Sequence, residues 1–74
     1  MPQPNGPAIR KRREELGILR RELAATVGIS YQHLYNIECG FKAVSIERLY
    51  RISKALGLPI GGVVIEPDDE RRPA

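Results

Sequence analysis

The sequence has no tryptophan, and only one phenylalanine, one histidine, one cysteine, one methionine and three tyrosines among its 74 residues. Each scarcity removes a class of function. A lone Cys39 closes no internal disulfide, which fits a reducing compartment. His33 and Cys39 stand six positions apart, about 1.7 helical turns, a poor spacing for sharing a metal ion. No Ser-His-acid set and no phosphate loop is present, and Gly61-Gly62 is too short to cradle a nucleotide. The pairs Glu14-Glu15 and Asp68-Asp69 are adjacent, so they do not converge on one point. Catalysis, a cofactor and a metal are therefore not expected. No apolar run approaches the roughly 18 residues of a membrane span. The opening MPQPNGP is polar and proline-rich, unlike a secretory leader. The expectation is a cytoplasmic protein with no membrane partner and no evident small-molecule ligand. Few aromatic rings also argue against RNA binding by stacking.

What the sequence does have is positive charge. The net charge is +3, with four acids and two bases lying in the segment from Glu66 onward. Without that segment ten bases face five acids, a net +5 over residues 1–65. A basic body of this kind suits a polyanion. At this length one small domain is expected, burying about 60% of its unfolded surface, and self-association is a common remedy for so thin a margin.

Helix signals punctuate the chain. Helix one is expected near Pro7 to Leu16, with Ile9 and Leu16 on one face and Gly17 as its stop. Helix two runs near Arg20 to Val27, with Leu23, Ala24 and Val27 inward. Leu19 lacks a capping oxygen, so that start either frays or sends the leucine into the core. Ser30 caps helix three, which ends near Cys39 and Gly40. Ser45 caps helix four, with Ile46, Leu49, Ile52 and Leu56 inward. The stretch LPIGGVVI reads either as a short fifth helix or as an extended arm, because its glycines and β-branched residues disfavour helix. Residues 1–6 read as a disordered arm, 7–65 as the folded domain and 66–74 as a flexible charged tail. The fold class expected is all-α, a compact five-helix bundle.

Within it, RRELAATVGISYQHLYNIECG places Ala24, Gly28, Leu34 and Ile37 where two short helices must cross around a tight turn. This is a helix-turn-helix, whose second helix fits a DNA major groove. On a helical wheel with Leu34 inward, Gln32 and Asn36 point away, flanked by His33 and Tyr35, with Tyr31 nearer the start of the helix. Amides bond adenine edges in pairs, each worth about 1–3 kcal/mol of discrimination. Tyr31, Gln32, His33, Tyr35 and Asn36 are the candidate base contacts. Arg20, Arg21, Ser30, Lys42 and Arg10 are the candidate phosphate contacts, while Lys11 and Arg12 read as solvated surface. Glu38 lies about 40° from Leu34 on the same wheel. A carboxylate there requires a cation, and Arg13 is the expected partner. Ile60, Val63, Val64 and Ile65 form an apolar cluster that is either dimer contact or core.

Taken together, IRKRREELG, RRELAATVGIS, LYNIECG and SIERLYRISKALGLP resemble the lambda-repressor-like helix-turn-helix domains of the Xre/Cro type, over about Ala8 to Val64. The resemblance implies a five-helix domain that binds double-stranded DNA as a homodimer on a palindromic operator and regulates transcription, as a repressor. It implies that Arg20 occupies the place of a phosphate-contacting glutamine, and that Gln32 and Asn36 read bases with Tyr31 and His33 beside them. It further implies that Arg13 and Glu38 form a buried ion pair and that Phe41 to Ala43 contact phosphate. The departures are Leu19 for a Ser or Thr cap, Arg20 for glutamine, Val44 for proline, and Gly61 and Gly62 within helix five. The alternative reading is an antitoxin or protein-interaction module built on the same helices.

Overall fold

Backbone N–H groups at helix starts must find acceptors, and three of the four helices find them on neighbouring side chains. The computed structural model describes residues 3–40 and 44–65. Helix α1 (Gly6–Glu15) is capped by Asn5, whose Oδ1 accepts from the Ala8 amide at 3.2 Å. Helix α3 (Tyr31–Glu38) is capped by Ser30 Oγ, which accepts from the His33 amide at 2.9 Å. Helix α4 (Ile46–Leu56) is capped by Ser45 Oγ, which accepts from the Arg48 amide at 3.3 Å. Helix α2 (Arg20–Val27) follows Leu19, which has no oxygen to offer. Its start is held the other way round: the Glu22 carboxylate accepts from the Leu19 amide at 2.9 Å, half of a capping box. Leu19 itself is 48% exposed and does not plug the core.

Between α2 and α3 the chain turns at Gly28, whose φ of 87° is left-handed, a conformation that only glycine adopts without strain. The amides of Gly28 and Ile29 both donate to the Ala24 carbonyl there, at 2.8 and 3.0 Å. One core results, built from Ile9, Leu23, Ala24, Val27, Leu34, Ile37, Val44, Leu49, Ile52, Leu56 and Val63. Helix α2 packs on both α3 and α4, and α1 packs on the same two helices. Two residues expected inside lie outside. Ile46 is 56% exposed, because it opens its helix about 70° from the middle of the buried arc. Leu16 is 43% exposed. It caps the end of α1, and the inward place one turn earlier is taken by Arg13.

The termini correct the all-α, five-helix expectation. The fifth helix is replaced by a single 3₁₀ turn at Ile60–Gly62 and a short strand, β2 (Val64–Ile65). Gly61 and Gly62 carry the entropic cost of a poor helix former, and the β-branched residues after them suit extended backbone. Gln3–Pro4 form β1, which pairs with β2 antiparallel, Gln3 opposite Ile65 and Pro4 opposite Val64. The Asn5 amide continues the pairing with a 2.8 Å bond to the Val63 carbonyl. Residues 3–6, expected in a disordered arm, are therefore ordered here, anchored by a buried Pro4 and by Gly6, the first residue of α1. The charged tail expected at 66–74 lies outside the described residues.

Candidate nucleic-acid interface

Helix α3 carries two different faces on eight residues. Leu34 and Ile37 are fully buried, and Glu38 is buried beside them. Tyr31, Gln32 and Tyr35 are exposed, and His33 and Asn36 are half-buried. No Lys, Arg or Glu stands on the outward side, which is unusual for a helix face in water. The Gln32 Nε2 donates to Asn36 Oδ1 at 3.2 Å. Among the described residues nothing else bonds Gln32 Oε1 or the Asn36 amide N–H groups. Ser30, Gln32, His33 and Asn36 line a shallow hollow of about 250 Å³. The Ser30 hydroxyl oxygen is already engaged there as the cap of α3.

Beneath this face lies a charge cluster. Arg13 Nε donates to Glu38 Oε2 at 2.8 Å, and Arg13 Nη2 to Glu38 Oε1 at 3.2 Å. The remaining arm of the Arg13 fork, Nη1, donates to the Ile18 carbonyl at 2.9 Å. The Glu38 side chain is only 1% exposed, so its charge survives on these bonds.

Arg20, expected to reach outward for phosphate, makes two bonds within the protein. Its Nε donates to Glu38 Oε1 at 3.0 Å, and its Nη1 to the Tyr31 hydroxyl at 3.0 Å. Its guanidinium carbon also sits 5.6 Å from the centre of the Tyr31 ring and 5.1 Å from that of Tyr35, within cation–π range. The Glu38 carboxylate raises the Arg20 pKa further, so this charge is permanent. The inward placement had a signal in the sequence. Arg20 precedes Leu23, Ala24 and Val27 by three, four and seven positions, on the face that packs. Tyr35 also lies against Cys39, whose thiol raises the pKa of the phenol.

The other rim residues divide. Arg21 is exposed and makes no ion pair with any described residue. Arg13, Leu19, Arg20, Arg21 and Tyr31 line an open groove of about 310 Å³ at the start of α2. Arg10 pairs with Glu14 at 3.1 Å across one turn of α1. Arg12, read as solvated surface, donates instead from Nε to the Leu56 carbonyl at 3.0 Å and so closes the end of α4. Lys42 and the loop at 41–43 lie outside the described residues. The apolar cluster near the C-terminal end also splits. Val63 is fully buried in the core, which decides for this residue between dimer contact and core: its side chain is already covered by this chain's own helices. Val64 is half-buried, and Ile60 and Ile65 are exposed. Among the described residues no three His, Cys, Asp or Glu side chains gather as metal ligands do, and no helix is long and apolar enough to cross a membrane.

Comparison with known proteins gives four further findings. Residues 9–63 match the family model described as helix-turn-helix. The chain is 40% identical over 55 residues to a transcriptional regulator in the ATPase CF(0) region of Rhodospirillum rubrum, a match covering 74% of this chain and 51% of that protein. The chain thus spans about half the length of that relative. Among solved structures, the clp gene regulator ClgR from Corynebacterium glutamicum superposes with a TM-score of 0.72 at 38% identity, over 74% of this chain and 58% of that one. SinR, a master regulator for biofilm formation solved in complex with DNA, superposes with a TM-score of 0.69 at 30% identity, over 74% of this chain and 89% of that one.

Proposed function

The chain belongs to the helix-turn-helix family, of the lambda-repressor-like type, and from that premise we propose that it is a transcriptional regulator that reads the sequence of double-stranded DNA. Helix α3 enters the major groove, with Gln32 and Asn36 on base edges and Tyr31, His33 and Tyr35 around them. Arg21, Ser30, Lys42 and Arg10, together with the free amides at the start of α2, anchor the phosphates on either side. A homodimer on a palindromic operator places two such helices about 34 Å apart. Of the C-terminal apolar cluster, Ile60 and Ile65, with Val64 beside them, remain for that contact. Occupying a promoter in this way is enough to repress it, and the place of action is the cytoplasm, where a bacterial chromosome is met.

One observation carries this reading: the outward side of α3 holds paired amides and rings, and none of the residues that α3 itself supplies there is charged. Such a face gains little from water-facing electrostatics and much from flat hydrogen-bonding edges. The names of the relatives, transcriptional regulators among them, point the same way.

The test is selection of bound duplexes from a random pool by the purified protein. The expected product is a two-fold symmetric motif whose half-site centres lie one helical turn apart. A pool that shows no enrichment at 50 mM and at 150 mM salt would reject sequence reading. Enrichment of a single half-site without symmetry would reject the dimer alone.

A further inference from the structure

Arg20 stands at the join between the buried charge cluster and the outward face, and this join has a consequence for what Tyr31 can do. A phenol oxygen accepts on its lone pairs and donates through one hydrogen. A guanidinium has no acceptor. Because Arg20 Nη1 donates to the Tyr31 oxygen, the Tyr31 hydrogen cannot turn back toward Arg20. Tyr31 is 51% exposed at the first position of α3, so that hydrogen is free to turn outward, polarised by the cation behind it. Arg20 in turn cannot follow a ligand freely, since its Nε is held by a carboxylate that is itself locked in the core by Arg13.

We infer that Arg20 is a positioning residue that determines specificity through Tyr31: the Glu38–Arg20 bond fixes the Tyr31 hydroxyl as an outward donor to a hydrogen-bond acceptor on a base edge, such as guanine N7 or O6 or thymine O4. The inference rests on the DNA-binding reading above. It assigns Arg20 to a base pair it does not touch, and removes it from the phosphate contacts. The role requires arginine. Only a planar fork reaches Glu38 and Tyr31 at once, whereas a lysine supplies the same charge at one point.

The experiment compares Arg20→Lys, Tyr31→Phe and the double variant, each with its thermal melt recorded. Base preference is read from duplexes carrying every single substitution in the preferred site. Tyr31→Phe is expected to relax preference at one base pair by about five- to tenfold. Arg20→Lys is expected to relax the same base pair by a similar factor, with the salt slope unchanged because the charge is kept. The double variant should lose no more than either single one. In the free protein, the Tyr31 and Tyr35 ring resonances should shift in Arg20→Lys. An Arg20→Lys variant with native preference overturns the proposal, since charge alone would then suffice. So does loss spread evenly over all sequences, or a Tyr31 ring that does not move. A native chain without any preferred duplex overturns the DNA reading and the outward contact with it, while the free-protein spectra still decide separately whether Arg20 holds Tyr31.

Discussion

Gln32 and Asn36, one helical turn apart on α3, are joined by a 3.2 Å hydrogen bond from the Gln32 amide nitrogen to the Asn36 side-chain oxygen. The bond limits the rotamers of both side chains before any partner arrives, which lowers the ordering cost of a contact. Exposed pairs at this spacing contribute only about 0.2–0.5 kcal/mol to a helix. Gln32→Ala and Asn36→Ala are therefore expected to change folding stability by less than about 0.5 kcal/mol. Each should cost about 1–3 kcal/mol of discrimination at its own base pair. Competition binding with substituted duplexes and a thermal melt check both halves. A melt lowered by many degrees would mean that these side chains support the fold rather than a partner.

Glu38 is the residue on which stability turns. Its carboxylate accepts from Arg13 twice and from Arg20 once. Removing it leaves Arg13 buried without its counter-charge, a situation that costs about 3–5 kcal/mol when a buried pair is broken from one side. Glu38→Ala should lower the unfolding free energy by that amount, seen as a lower urea midpoint with the m-value unchanged. Arg20→Ala should cost clearly less than Arg13→Ala, because Arg20 gives Glu38 one bond and is the more exposed partner. Equal losses for the two arginines, or a Glu38→Ala cost below about 1 kcal/mol, would show that the cluster behaves as a surface network.

Salt dependence separates the rim cations. Arg21, in the first turn of α2, makes no ion pair with any described residue, whereas Arg10 already lies 3.1 Å from Glu14. Arg21→Ala should weaken binding to all duplexes alike and reduce the slope of log K against log salt by about one. Arg10→Ala should reduce it by less, since Glu14 offsets the charge that is lost. The check is a binding titration across 50 to 300 mM salt. An unchanged slope in Arg21→Ala takes Arg21 away from the phosphates.

The central part of the fold was legible because its signals are local. Ser30 and Ser45 sit directly before apolar stripes, and Gly28 sits where a left-handed residue must end α2. The ends were not legible, because the pairing of Gln3 with Ile65 joins opposite ends of the domain through backbone groups that any sequence possesses. Arg20 is hard to place from sequence for a different reason. Its charge suggested solvent, while its spacing from Leu23 and Ala24 put it on the packed face, and a buried carboxylate let position prevail over charge. The outward amides of α3 were legible because the wheel that buries Leu34 fixes them.

The least visible requirement in the sequence lies at Gly6. An added Cβ there would overlap the backbone carbonyl oxygen of Glu38 and stand 2.7 Å from that of Ile37. The start of α1 thus rests directly on the last turn of α3. Alanine normally favours a helix over glycine by up to about 1 kcal/mol, but the obstacle here is backbone, which cannot swing aside as a side chain would. Overpacking of this kind costs about 1–3 kcal/mol or more, so Gly6→Ala should destabilise. Gly61 provides the opposite case, with ordinary φ and nothing within 4 Å of an added Cβ. Gly61→Ala should be neutral or stabilise by up to about 1 kcal/mol through the unfolded chain. Urea denaturation of the two variants should therefore move in opposite directions. Gly6→Ala should also weaken binding to the preferred duplex at temperatures where it remains folded, since α3 must shift to admit the methyl group. A Gly6→Ala variant as stable as the native chain would mean that α1 and α3 can separate without cost, and that the N-terminal segment has no part in placing α3.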